Sequence, residues 1–239
     1  MGTAYNANIV TDGLVLCLDA ANPRSYPLSG TSWNDLSGNG NNGTLTNNTY
    51  TTENAGAINF DNTDDRVHIP YHFTNVGNNG QQEGTVITWF KATNATNLSS
   101  ANMQYYMIPC TNSFILYFYR NAHWSAYALS NFLYYRRASD GGTGYDIPSI
   151  YYQPNIWYQN AITWTTNGIK IIYRNTDAAH TANRSSDFDY WYGPTGGGFH
   201  IDPNYTTEGS ISIFQMYNRP LSAQEIRQNF NATRGRYGI

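Results

Sequence analysis

Apolar residues recur along this chain in short runs, many with period two, and glycine, asparagine and proline separate the runs. Runs of that length and period predict β-strands joined by turns. The first, Gly13 to Ala20, is apolar on both faces and gives way to Asn22-Pro23, which suits a central strand. The stretch from Asn34 to Gly43 is rich in Asn and Gly and predicts a tight, structured loop, because such side chains bond nearby backbone and glycine accepts positive φ. Short strands are predicted at Ile58–Phe60 and Val67–Ile69, on either side of Asp61–Asp65, and a stronger one at Thr85–Lys91. Between Met103 and Arg137 the chain is at its most aromatic, with strand patterns at Gln104–Ile108, Ser113–Tyr119, Trp124–Leu129 and Phe132–Arg136. Trp157–Thr165 and Ile169–Arg174, joined at Asn167-Gly168, predict a hairpin with a two-residue turn. The polar, Gly-rich stretch from Asn175 to Gly198 predicts a long surface loop.

The end of the chain is locally the best specified. Ile211 to Met216 is largely apolar on both faces, the pattern of a buried strand, and Tyr217 to Pro220 breaks it. Ser222 followed three residues later by Glu225 has the spacing of a capping box, with Leu221 placed to pack on Ile226 as a hydrophobic staple. Ile226 and Phe230 then form the apolar stripe of one short C-terminal helix. A dozen short strands and one closing helix predict an all-β, antiparallel two-sheet sandwich, with Trp89, Ile162, Trp164, Ile171, Ile213 and Phe214 in its buried layer or at its margins.

Composition narrows the partners. At 239 residues, with no linker and no shift in composition, residues 1–239 are expected to form a single domain. Charged residues make up 12% and aromatic residues 15%, with 21 Tyr and 21 Gly, which suits a turn-rich β protein and not a disordered one. Thirteen basic residues scattered among sixteen acidic ones offer no broad positive face, so nucleic acid is not an expected partner. No stretch is long and apolar enough for a membrane-spanning helix, and residues 1–8 have no basic or apolar segment of a secretory signal, so neither membrane insertion nor export is expected. Cys17 and Cys110 both sit among apolar residues and are expected as small buried hydrophobes.

The stretches Gly13 to Asn22, Trp33 to Gly43, Ile58 to Ile69, Trp157 to Asn160 and Tyr217 to Ser222 together resemble the laminin-G-like jelly rolls of the concanavalin A-like lectin and glucanase superfamily. The resemblance covers about Gly13 to Phe230 and implies a jelly-roll topology for the sandwich. Residues 228–239 resemble the tails of laminin-G-like structural proteins of tailed phages. That likeness implies a virion-surface protein, made in a host cytoplasm, decorating a capsid or forming part of a tail or fibre. Its partners would be copies of itself and other virion proteins, with a host-surface glycan as a further ligand. Many members of the superfamily hold calcium at the sheet rim, and the oxygen-bearing candidates here are Asp35, Asn39, Asn41, Asp61, Asp64 and Asp65. Calcium takes six to eight oxygens, which two such loops would supply if they met. Relatives often carry an acidic residue on the last strand where this chain has Ser212 and Ile213. The other reading is that these side chains bond only their own loop backbones.

The resemblance also covers glucanases, whose retaining members set two closely spaced carboxylates on one strand. No such run occurs, the glutamates Glu53, Glu83, Glu208 and Glu225 being isolated from one another, and the five histidines form no metal-binding spacing. A non-catalytic protein is therefore expected. Two non-catalytic readings stay open. In one, the Tyr-rich, weakly charged surface serves subunit contacts in a virion. In the other, the chain is an extracellular or surface-attached carbohydrate-binding module, in which Trp124, Tyr145, Trp191 and Tyr192 stack on sugar rings and Asp187 and Asp189 bond hydroxyls.

Overall fold

The computed structural model of the chain describes residues 8–61, 63–70, 83–93, 104–107, 116–118, 129–131, 150–153, 155–165, 169–183, 199–201 and 208–239. In chain order the strands are β1 (Leu14–Asp19), β2 (Ser32–Trp33), β3 (Gly43–Thr46), β4 (Thr49–Thr51), β5 (Ala57–Asp61), β6 (Arg66–Ile69), β7 (Gly84–Ala92) and β8 (Gln104–Met107). They continue with β9 (Leu116–Phe118), β10 (Leu129–Asn131), β11 (Ile150–Tyr152), β12 (Trp157–Trp164), β13 (Ile169–Arg174), β14 (Asp177–Asn183), β15 (Phe199–Ile201) and β16 (Glu208–Tyr217). One helix, α1 (Ala223–Thr233), follows and runs into a 3-10 turn at Arg234–Tyr237.

An antiparallel eight-stranded sheet runs in the order β14, β13, β12, β7, β16, β5, β4, with β1 added beside β16. The last strand is thus central. Its first residues pair with β5 and its later ones with β1 along one side, while β7 runs along the other. A four-stranded sheet has the order β15, β6, β3, β2. Side chains of both sheets interleave in one core: Leu16, Leu18, Phe60, Phe90, Trp164 and Phe214 from the large sheet meet Trp33, Leu45, Val67, Ile69 and Ile201 from the small one. Apolar burial between two facing sheets is what holds such a sandwich together.

The large sheet has a second apolar face, and α1 covers it. A bulge between Ile211 and Ile213 lets β16 aim Ile211 and Phe214 into the inter-sheet core and Ile213 outward. Trp89, Trp157, Ile213, Phe230 and Tyr237 pack together there, and Ile87, Ala161, Tyr217, Leu221 and Ile226 form a neighbouring cluster. All six residues expected in the buried layer or its margins pack in these clusters, Trp89, Ile171 and Ile213 on the helix side, with Ile171 half-buried at the margin. The capping box is formed: Glu225 N donates to Ser222 Oγ at 3.3 Å and Ser222 N to Glu225 Oε2 at 2.8 Å.

One expectation is corrected. Part of the polar stretch after Asn175 is a strand, β14, turned back by Asn175 at φ 56° to pair with β13. It is the last strand of the sheet on that side, where ladder bonds alone suffice and no apolar alternation is required. Cys17 is buried, accepts a bond from Gln215 Nε2 at 3.8 Å, and burial pushes its thiol up to about 12. Cys110, and the strands expected at Trp124–Leu129 and Phe132–Arg136 apart from Leu129, lie outside the described residues.

Candidate functional site

β5 and β6 belong to different sheets, so the turn between them, residues 61–65, bridges the sandwich at its rim. The turn must reverse the chain within a few residues, and its aspartates hold it by bonding backbone N–H groups. Asp65 Oδ2 accepts from Asp61 N at 2.7 Å, and Asp61 Oδ1 from Thr63 N at 2.9 Å. Asn47, at the end of β3, donates its amide to Asp64 Oδ2 at 2.8 Å. These short bonds draw the three carboxylates together, with one oxygen of each within 4.8 Å of the others. Asp65 is buried, and loss of water followed by the charges of Asp61 and Asp64 pushes its carboxyl up to about 6, against the lowering effect of the Asp61 N–H.

Pairing also brings a glutamate to this rim, because Glu208 at the start of β16 is in register with Asp61, although the carboxylate cluster itself is Asp61, Asp64 and Asp65. Sequence spacing could not reveal it: the two meet only because the last strand runs through the middle of the sheet. Like charges facing each other across a ladder repel. The arrangement is a concentration of hard oxygen donors at one corner of the sandwich, and the donor type fits calcium. Asp61, Asp64 and Asp65 would hold such an ion, whose positive charge would offset their mutual repulsion and favour the ionised form of Asp65.

The other expected metal residues are elsewhere. Asp35 sits beside the opposite end of β16: its Oδ1 accepts from Cys17 N, and Cys17 is in register with Gln215. Seven strand residues separate that level from Glu208, roughly 20 Å at the usual rise. Asp35, Asn39 and Asn41 are therefore not brought to Asp61, Asp64 and Asp65. They fasten their own loop to β1: Asp35 also accepts from Ser37 N, Ser37 Oγ and Asn41 N, while Asn41 Nδ2 donates to Val15 O at 2.9 Å. Ser212 sits in the β16 bulge and donates to Gly56 O at 2.7 Å. The residues expected to bind sugar, Trp124, Tyr145, Asp187, Asp189, Trp191 and Tyr192, lie outside the described residues.

The family model described as the concanavalin A-like lectin/glucanases superfamily, of the laminin G type, matches residues 61–227, well over half of the sequence. The chain belongs to that superfamily. Solved structures agree with the assignment at the level of fold. The binding domain of Paraclostridial Mosquitocidal Protein 1 superposes with a TM-score of 0.67 and 16% identity, over 93% of this chain and 52% of that one. Domain 4 of AbnA, a GH43 extracellular arabinanase from Geobacillus stearothermophilus solved in complex with arabinotriose, gives 0.62 and 15%, over 90% of this chain and 97% of the domain. A Trypanosoma rangeli sialidase mutant displaying trans-sialidase activity gives 0.62 and 14%, over 98% of this chain and 35% of the enzyme. This superfamily member thus spans about half of the mosquitocidal binding-domain chain and about a third of the sialidase. Comparison with curated protein sequences gives no match.

Proposed function

We propose that this chain is a non-catalytic recognition module that binds a glycan. The supporting observation is the likeness in fold to the arabinanase domain, which it matches almost end to end and which was crystallised with a trisaccharide. Sequence supports the non-catalytic reading. Among the described residues Glu225 is engaged by the helix cap and Glu53 by Lys91, while Asp61, Asp64 and Asp65 are tied to a rim turn. Stacking would fall to Trp124, Tyr145, Trp191 and Tyr192, and hydroxyl bonding to Asp187 and Asp189. Glycan-array screening followed by calorimetry tests this. Selective binding that weakens in Trp191→Ala and Trp124→Ala supports it, and a folded protein that binds no glycan on the array ends it.

A second reading supplies the setting. The resemblance of residues 228–239 to the tails of phage structural proteins supports display on a virion surface, with copies of the chain and another virion protein as partners. Mass spectrometry of purified virions that never finds the chain would remove the virion setting and leave the glycan reading, with an extracellular location, in place.

Calcium is the proposed ion of the Asp61, Asp64 and Asp65 rim. A ligand held only by the folded state raises stability by mass action, about 2.7 kcal/mol at a hundred times its dissociation constant. Melting should therefore shift upward between chelated and calcium-saturated protein, and the shift should vanish in Asp64→Asn. Identical melting curves for the parent protein would rule the ion out.

A further inference from the structure

Two Asn-Gly pairs lie in the loop that joins β2 to β3, Asn39-Gly40 and Asn42-Gly43, and their surroundings differ. Asn39 and Gly40 are both exposed. Gly40 has φ 75°, and a Cβ built on it would meet nothing within 4 Å, so no neighbouring atom crowds its α-carbon. The Asn39 side chain is held only by long bonds from its amide nitrogen to Leu14 O at 3.2 Å and Val15 O at 3.4 Å, with a shorter one to Ser37 Oγ at 2.9 Å. Gly43, by contrast, is buried in β3 opposite Trp33, and a Cβ there would lie 3.0 Å from Val67. Asn42 holds Asp35 N at 2.8 Å through its side-chain oxygen. Closing a ring at Asn42-Gly43 would have to break the start of a strand, whereas closing one at Asn39-Gly40 disturbs only an exposed loop.

We propose that Asn39 is a site of spontaneous deamidation, and that the change loosens this loop from β1. The Gly40 backbone nitrogen attacks the side-chain carbonyl carbon of Asn39 and forms a C–N bond as its proton passes to solvent base. The side-chain nitrogen takes up a proton and leaves as ammonia, closing a cyclic imide. Water then adds at either imide carbonyl and opens the ring, leaving Asp or its β-linked isomer at position 39. The sum is amide plus water to acid plus ammonia, and nothing is oxidised or reduced. The new carboxylate cannot donate, so all three bonds from the Asn39 amide are lost. Its charge instead faces the carbonyls of Leu14 and Val15, next to Ser37, which already bonds the Asp35 carboxylate.

The test is to incubate the full chain in warm, mildly alkaline buffer, digest it, and locate the amide-to-acid mass gain by fragment-ion mass spectrometry. Conversion at Asn39 should outpace that at Asn42 by roughly tenfold or more, since only Gly40 is unhindered. Asn39→Gln, whose longer side chain forms the imide far more slowly, should lose the signal at that position. Asn39→Asp should melt below the parent, and aged parent should move toward it. Conversion at Asn42 as fast as at Asn39 would overturn the assignment, as would an unmodified Asn39 after a free Asn-Gly peptide has converted. An Asn39→Asp variant that melts with the parent would overturn the loosening, and one that fails to fold would support it, while the mass measurement on the parent still decides the site.

Discussion

Asp35 and Asp65 are both loop aspartates, yet their surroundings differ: one is ringed by donors and the other is buried beside two carboxylates. Asp35 gathers four donors, Cys17 N, Ser37 N, Ser37 Oγ and Asn41 N, and so fastens a loop to β1. Asp65 has the Asp61 N–H on one oxygen, but it is buried beside two other carboxylates, and burial dominates. A carboxyl that reads 3.8 in the open chain and about 6 when folded binds a proton more tightly in the folded state. Across that window the folded protein holds a proton the unfolded chain has lost, so this group makes stability fall as pH rises, with no further change above it. Asp65→Asn keeps an acceptor for Asp61 N and removes the charge. Its unfolding free energy, measured by denaturant from acid to neutral pH without calcium, should gain on the parent steadily through the window. A constant difference between the two proteins would show that Asp65 does not titrate as described. Saturating calcium should flatten the slope of the parent, because an ion at the rim favours the ionised form.

The closing helix is the element whose local code and tertiary role agree best. Ser222 and Glu225 cap each other, Arg219 adds an ion pair to Glu225 at 2.6 Å, and Leu221 and Ile226 pack in one cluster. The Arg219 guanidinium and the Ser222 donors together bring the Glu225 carboxyl down to about 2. Replacing Ser222 by Ala removes the acceptor of Glu225 N but leaves the ion pair, so the loss should be roughly 1 kcal/mol, the usual cost of such a cap. An unchanged denaturation midpoint would mean that Arg219 and Leu221 alone fix the helix start. This helix, the pairing of the two Trp157 hairpin strands and the first strand were legible in the sequence because the signals that define them lie within a few residues. The register of Trp164 with Lys170, however, is not that of the expected two-residue Asn167-Gly168 turn. The edge strand β14 was not, since a strand held by backbone bonds on one side needs no apolar alternation. At the candidate rim, the turn aspartates could be named from their cluster in sequence. The register of Glu208 with Asp61 and the separation of these aspartates from Asp35 follow from strand pairing between distant residues, which no local pattern encodes.

At the scale of the whole molecule, the large sheet is apolar on both faces, and only one of them is closed by the other sheet. Residues 8–10 and the segment from Leu221 to Tyr237 close the second. Val10 N donates to Asn229 Oδ1 at 2.7 Å, Tyr217 Oη to Val10 O at 3.0 Å, and Gln228 Nε2 to Asn8 O at 2.7 Å, so residues 8–10 are strapped to the closing helix and the end of β16. Beyond the helix, Arg236 pairs with Asp19 at 2.6 Å and Asn54 donates to Arg236 O, which seats the 3-10 turn on the sheet. Tyr237 is then laid over Trp89, with ring centroids 3.9 Å apart and planes 14° from parallel, and against Trp157 at 5.1 Å. Trp89 in turn donates its Nε1 to Thr233 Oγ1 at 2.9 Å. If these last residues are a structural closure, Tyr237→Ala should cost about 3 kcal/mol or more, as deletion of a buried aromatic usually does. It should also shift tryptophan emission to the red as water reaches Trp89 and Trp157. Tyr237→Phe keeps the ring and should restore both readouts to near the parent's. A loss below about 1 kcal/mol with unshifted emission would mean that Phe230 and α1 cover the tryptophans without the turn, and that the turn is free to act elsewhere.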